Sequence, residues 1–210
     1  MKTNFERCLA QVLGHEGGWA DNPKDPGGAT MKGVTLATFR AWKGSAATKA
    51  QLRAISDADL RAIYRRNYWD AVSGDDLPAG LDLLAFDAAV NSGPSRGAKW
   101  LQTALGVSAD GKIGPATLAA AQKAHPEAVI DRAIAARVSF LRTARHKGTG
   151  ALLWPTFGKG WTARVESVRE EAIAMAKAPR IPVTDATTAP GQGWLATLLA
   201  LLQSIFGGRK

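Results

Sequence analysis

Cysteine is almost absent from this chain: Cys8 is the single one in 210 residues. That excludes an intramolecular disulfide and leaves the fold to its apolar core. Histidine is nearly as scarce, and His15, His125 and His146 have no ligand-like neighbours. His15-Glu16 opens like an H-E-x-x-H zinc helix, but Trp19 stands where the second histidine belongs and two glycines interrupt the helix. No metal and no cofactor are implied. Long apolar runs are missing too. The longest, WLATLLALLQSIF at residues 194–206, falls short of the about 20 residues that span a bilayer. The opening residues, MKTNFERCLAQVLGHE, intersperse charges with apolar positions, which is not the pattern of a secretory signal peptide.

What is present is a chain 46% hydrophobic, enough for one substantial core and a small second module. Phe5, Cys8, Leu9, Val12 and Leu13 recur at the spacing of one helix face, with Glu6, Arg7 and Gln11 opposite. Gly17 and Gly18 are expected to stop this helix, which places Glu16 in its last turn. There the negative end of the helix dipole, with burial under the following loop, disfavours the ionised carboxylate. A general acid for sugar cleavage needs that, since a glutamate at its reference pKa of about 4.3 is nearly all ionised at neutral pH. The competing reading is a solvated glutamate at a fraying helix end.

The next residues favour the acid. Asn22-Pro23 and Asp25-Pro26-Gly27-Gly28 are consecutive turn formers, and residues 29–35 alternate small or apolar with polar, as in a short hairpin. A helix folding back into this hairpin would hang Asp21, Asp25 and Thr30 over Glu16, supplying the second half of a glycosidase site. The alternative is that Asp25 and Thr30 only bond the backbone of a tight turn. The run HEGGWADNPKDPGGATMKGVT resembles the EGG-Y/W-x-N-x-P-x-D-x-GG-x-T-x-x-G-I/V-T motif of glycoside hydrolase family 108. That family comprises N-acetylmuramidases, which cut the β-1,4 bond between N-acetylmuramic acid and N-acetylglucosamine in peptidoglycan. Asp21 stands where the pattern has asparagine, with Asn22 beside it. The resemblance implies Glu16 as catalytic acid. Glutamate, an aspartate nine residues on and a threonine soon after also resemble the catalytic order of phage-type lysozymes, with Thr30 one residue closer to Asp25; Asp21 competes with Asp25 for the aspartate role. The separation of the two carboxyl groups, roughly 6.5–9.5 Å or roughly 5–5.5 Å, distinguishes inversion from retention.

The remainder reads as helices. Ser56 caps one through Asp59, burying Leu60, Ile63 and Tyr64. Tyr68 and Trp69 at its end either line a sugar groove or join the core. Residues 77–93 form another, closed by Asn91-Ser92-Gly93-Pro94. Its string FDAAVNSG resembles the same family's second motif, F-D-x-A-V-N-x-G. Asn91 is thus a substrate hydrogen bonder or a helix cap, and Asp87 supports it or pairs with an arginine. Asp110-Gly111-Lys112-Ile113-Gly114-Pro115-Ala116-Thr117 has a turn at Asp-Gly and a proline suited to a helix start. It resembles D-G-x-x-G-P-x-T of small peptidoglycan-binding modules, and with Phe157-Gly158-Lys159-Gly160-Trp161 it is similar to the peptidoglycan-binding region that accompanies this family. We read it as architecture first, because no flexible linker separates it from Gly93. Helices are expected from about 126 to 144 and 161 to 178.

The expectation is a mainly α, lysozyme-like, two-lobed fold with a small β-hairpin near the N-terminus. Residues 1–178 form the muramidase domain, with a catalytic lobe to about 93 and a second helical lobe over about 94–178. A Pro- and Thr-rich linker at 179–193 and an apolar helix at 194–210 follow. That helix suits contact with a membrane or lipopolysaccharide, pairing with another copy, or docking on the enzyme. The net charge of +9 points to a polyanionic partner. Without a zinc finger, an RNA-binding aromatic pair or a base-reading basic helix, nucleic acid is not expected; peptidoglycan carboxylates, teichoic acids or lipopolysaccharide fit. A hydrolase lacking a signal peptide would be made in the cytoplasm and reach the wall after holin-type release. The competing function is a non-catalytic wall-binding or secretion-assisting protein on the same fold.

Overall fold

One helix is buried on every side and organises the rest. In α5 (Leu81–Ser92) each residue from Leu81 to Ala89 is inaccessible, including Asp82 and Asp87. Such a helix needs small residues where its neighbours press closest. A side chain at Gly97 of α6 (Pro94–Leu105) would stand 2.9 Å from the backbone nitrogen of Ala89, so the two helices pack nearly backbone to backbone. The computed structural model describes residues 4–21, 28–146 and 148–178.

Before α5 come α1 (Phe5–Leu13), three two-residue strands, β1 (Trp19–Ala20), β2 (Thr30–Met31) and β3 (Val34–Thr35), and then α2 (Leu36–Lys43), α3 (Lys49–Arg53) and α4 (Asp57–Tyr64). The strands form one antiparallel sheet in the order β1-β2-β3. The β2–β3 turn is Lys32-Gly33, both at positive φ (47° and 74°), which a two-residue hairpin of type I′ requires. Thr35 and Ser56 cap α2 and α4 through the backbone N–H groups of Thr38 and Asp59, as residue type predicts for Ser56. α4 buries Leu60, Ile63 and Tyr64 and then widens into a π-helical turn, Arg65–Trp69, followed by a 3-10 turn at Asp70–Val72. After α6 come α7 (Pro115–Lys123), α8 (Pro126–Thr143) and α9 (Trp154–Lys177). α5, α6, α8 and α9 pack mutually, and α1 lies against α5. The mainly α, lysozyme-like class with a small sheet near the N-terminus is therefore what the chain adopts.

The core is continuous from α1 to α9. Phe5, Trp69 and Phe86 meet edge to face at its centre, with Phe5–Trp69 centroids 5.4 Å apart and Trp69–Phe86 5.3 Å. Cys8 is fully enclosed beside them, and its burial, then the charge of Asp82, pushes its thiol pKa well up.

Two boundaries differ from the sequence expectation. α1 ends at Leu13, before Gly17-Gly18; its C-cap Gly14 keeps a right-handed φ of −61°. His15 and Glu16 continue as a tightened turn, their N–H groups donating to Val12 and Leu13 carbonyls at 3.0 and 3.2 Å. Glu16 therefore lies just beyond the helix. α9 begins at Trp154, seven residues before Trp161, running straight through Gly158 and Gly160. Gly158 has a packing role: a side chain there would lie 2.8 Å from the Trp154 ring.

The Asp110–Thr117 motif is fastened to one side chain of α6. Buried Gln102 donates through Nε2 to Asp110 Oδ1, the Lys112 carbonyl and Thr117 Oγ1 at 2.8, 2.9 and 3.1 Å, and its Oε1 accepts from the Gly111 N–H at 2.9 Å. Pro115 sits in the first turn of α7. Residues Met1–Ala178 cluster as one compact unit. The linker and apolar-helix assignments at 179–193 and 194–210 lie outside the described residues. Among the described residues, no helix is long and apolar enough to cross a membrane.

Candidate active site

Glu16 is the outer end of a chain of charges that starts inside the molecule. Asp87 of α5 is fully buried, and its Oδ2 accepts from Arg137 Nη1 of α8 at 2.5 Å. Its Oδ1 accepts from Arg164 Nε of α9 at 2.8 Å, and Arg164 Nη1 donates to Glu16 Oε1 at 2.9 Å. Side-chain exposure rises along the series, from 0% at Asp87 and 2% at Arg137 to 10% at Arg164 and 17% at Glu16. Two carboxylates and two guanidiniums offset one another, which is the condition under which such charges tolerate burial. Burial alone would push the Asp87 carboxyl up, but Arg137 and Arg164 hold it below the ordinary range. His15 is pushed down by its burial and then by the charge of Arg164, and among the described residues its Nε2 is enclosed without a hydrogen-bond partner.

The opposite side of Glu16 is closed by the hairpin and by α4. A side chain at Gly33 would stand 2.8 Å from Glu16 Oε2 and would also strike the Tyr64 hydroxyl. Only glycine lets the turn approach this closely. The Tyr64 hydroxyl donates to the Lys32 carbonyl at 2.9 Å, pinning the turn. Burial and then the charge of Glu16 push both Tyr64 and Tyr68 upward, so both rings keep their hydroxyl protons beside the acid. Their centroids are 5.5 Å apart. The π-helical turn begins at the residue after Tyr64 and carries Tyr68, consistent with the frequent placement of such turns at functional sites.

The other residues expected at the site distribute unevenly. Trp69, expected with Tyr68 as groove lining, is a correction: it is fully buried between Phe5 and Phe86 and donates through Nε1 to Asp75 at 3.1 Å. The physical reason is that consecutive residues on a helical turn point to different sides, so a half-buried Tyr68 sends Trp69 into the core. Asn91 accepts from Arg137 Nη2 at 3.0 Å, inside the charge network, while the helix C-cap is Gly93. Thr30 donates to the Gly28 carbonyl at 3.2 Å, and Asp21 pairs with Lys49 at 2.9 Å. Asp25 lies outside the described residues.

Arg137 and Arg164 are the members of the network that the motifs did not indicate. Each stands on an apolar stripe, Arg137 with Ile130, Ala133, Ile134 and Leu141, Arg164 with Val165, Val168 and Ala172. An arginine at a core position of an amphipathic helix is the signal that would have found them.

The fold is lysozyme-like and helical with a small sheet, it presents Glu16 at the solvent edge of a buried, charge-balanced network, and its class is that of the glycoside hydrolases. The chain belongs to the glycosyl hydrolase 108 family, whose model matches residues 9–93. A second family model, described as a predicted peptidoglycan domain, matches residues 96–166. Together they make the protein a peptidoglycan-related hydrolase. The solved structure of SagA from Brucella abortus is 45% identical, with a TM-score of 0.74, over 86% of this chain and 100% of that one. No curated protein matches the chain. The boundary between the two matched regions falls at the α5–α6 junction, so Arg137 and Arg164 reach Glu16 and Asp87 from the second region.

Proposed function

We propose that this protein is an N-acetylmuramidase that cleaves the β-1,4 bond between N-acetylmuramic acid and N-acetylglucosamine in peptidoglycan. The observation that carries this reading is Glu16: it stands at its place in the family motif and is the most exposed member of an otherwise buried charge network, oriented by Arg164. In its protonated form Glu16 delivers a proton to the bridging oxygen as the departing sugar leaves an oxocarbenium-like centre, and the carboxylate left behind is the form that Arg164 pairs with. Asp25 with Thr30 directs a water to that centre or shields its charge, Asp21 being committed to Lys49. Tyr68, beside the acid and partly exposed, contributes an aromatic wall to the substrate side, and Asn91 acts through Arg137. The enzyme serves as a phage or prophage endolysin or an equivalent bacterial muramidase, working on the wall after release from the cytoplasm.

The test is release of new reducing ends from purified peptidoglycan by the wild-type chain and by Glu16→Gln, with mass spectrometry of the products. We expect products ending in reducing N-acetylmuramic acid, and a rate lower by about 10²–10⁴-fold in the variant. A folded wild-type chain that binds the wall without cutting it would establish a binding module instead.

A further inference from the structure

The core-facing stripe of α9 continues past the point where the core ends. Met175, Ala172, Val168 and Arg164 are buried along it, and the same three-to-four-residue spacing then gives Trp161, Phe157 and Trp154. Trp161 and Trp154 are half-buried, while Phe157 is 49% exposed. Trp154 is anchored, lying against Gly158 with the Arg142 guanidinium 5.5 Å over its ring. Trp161 and Phe157 stack on one another, centroids 5.6 Å apart and planes 29° apart, and about half of Phe157 is left open to solvent. Trp161 is one helical turn from Arg164, which holds Glu16, and Phe157 lies about 10 Å along the axis.

We infer that the Phe157–Trp161 pair is a subsite for the glycan strand, taking the apolar face of a sugar ring a short distance from the bond presented to Glu16. This rests on the glycosidase reading above. A pyranose has a face of C–H groups and a polar rim, so it wets the rim and covers the ring of a flat aromatic surface. The placement suits that occupant: the pair is continuous with the acid through one turn of one helix. A second copy of the chain is a poorer fit. Two aromatic side chains bury roughly 150–250 Å² each, well under the about 800 Å² per partner of a stable interface. A membrane patch needs a broader apolar surface than these two rings supply.

The test measures association of the full-length Glu16→Gln chain, which binds without cutting, with purified sacculi. Phe157→Ala and Phe157→Leu should each weaken association about tenfold, and Phe157→Tyr should restore it. Because Phe157 is half exposed, these variants fold, as unchanged melting temperatures will verify. Undiminished binding by Phe157→Ala overturns the inference, as does full binding by Phe157→Leu, which keeps apolar bulk without a flat face. Phe157-dependent binding to anionic phospholipid vesicles, or Phe157-dependent dimerisation in sedimentation, with sacculus binding unaltered, overturns it in favour of a membrane or a second copy. Reducing-end release by the Glu16-intact chain is scored separately. Cleavage without a Phe157 effect removes the subsite and keeps the hydrolase; Phe157-dependent binding without cleavage removes the hydrolase and keeps a glycan site.

Discussion

The two halves of the hydrolase unit use their recognisable motifs for opposite purposes. In the first, residues 9–93, the motif supplies the proposed acid: Glu16 and the Gly33 turn that closes on it belong to one run of sequence. In the second, residues 96–166, the Asp110–Thr117 motif is consumed by Gln102 and builds a fold corner, while the residue that reaches the acid, Arg164, belongs to no motif. A name attached to a region therefore says little about which of its side chains reach the site. The division at 93/96 crosses a single charge network.

The sharpest way to break this comparison is at its joint. Asp87→Asn leaves two buried guanidiniums without their carboxylate and should cost about 3–5 kcal/mol of stability at neutral pH, read from urea denaturation. The same residue sets an acid limit. Its folded pKa lies below its ordinary 3.8, so its stabilising contribution is complete above that value and is lost as pH falls through the lower folded value. The denaturation midpoint of the wild type should therefore drop steeply below about pH 4, and that drop should be shallower in Asp87→Asn.

Arg164→Met comes next. If the second region only held the wall, KM alone would rise; since Arg164 orients the acid, kcat should fall by about 10²-fold. Arg164→Lys should recover part of the loss, because an ammonium keeps the charge but cannot bridge two carboxylates in fixed geometry. The smallest effect is expected at Gln102→Ala. It unfastens the Asp110–Thr117 corner and should cost about 1–3 kcal/mol of stability, with kcat/KM per folded molecule unchanged. A loss of kcat in this variant would mean that the motif does reach the substrate.

How much of this was legible in the sequence follows the range of the interactions. The Ser56 cap, the Pro115 helix start and the apolar face of α1 depend on residues within one or two turns, and they were read correctly. The motif singled out Glu16, although the helix before it ends at Leu13 and does not include it. That end was misread because two glycines outweigh one, while the tightened turn at 15–16 needs no left-handed residue. The start of α9 was missed because Gly158 and Gly160 look like a loop; the contact that makes Gly158 useful, with the ring of Trp154, is a packing event. Tyr68 and Trp69 were left together between groove and core because neighbouring aromatics invite a common role, and the π-helical turn that separates them leaves no composition signal. Arg164 pairs with partners 77 and 148 residues away, a distance across which periodicity carries no information.

The enclosed thiol of Cys8 has a practical consequence. A thiol reagent attacks only the thiolate, and here the group is both inaccessible and held protonated by burial. Modification must wait until α1 leaves the core. The single cysteine thus gives the folded chain an intrinsic clock: under labelling that outpaces reclosing, the rate at which this one thiol is consumed reports the opening of the helix that leads into Glu16, with no probe added.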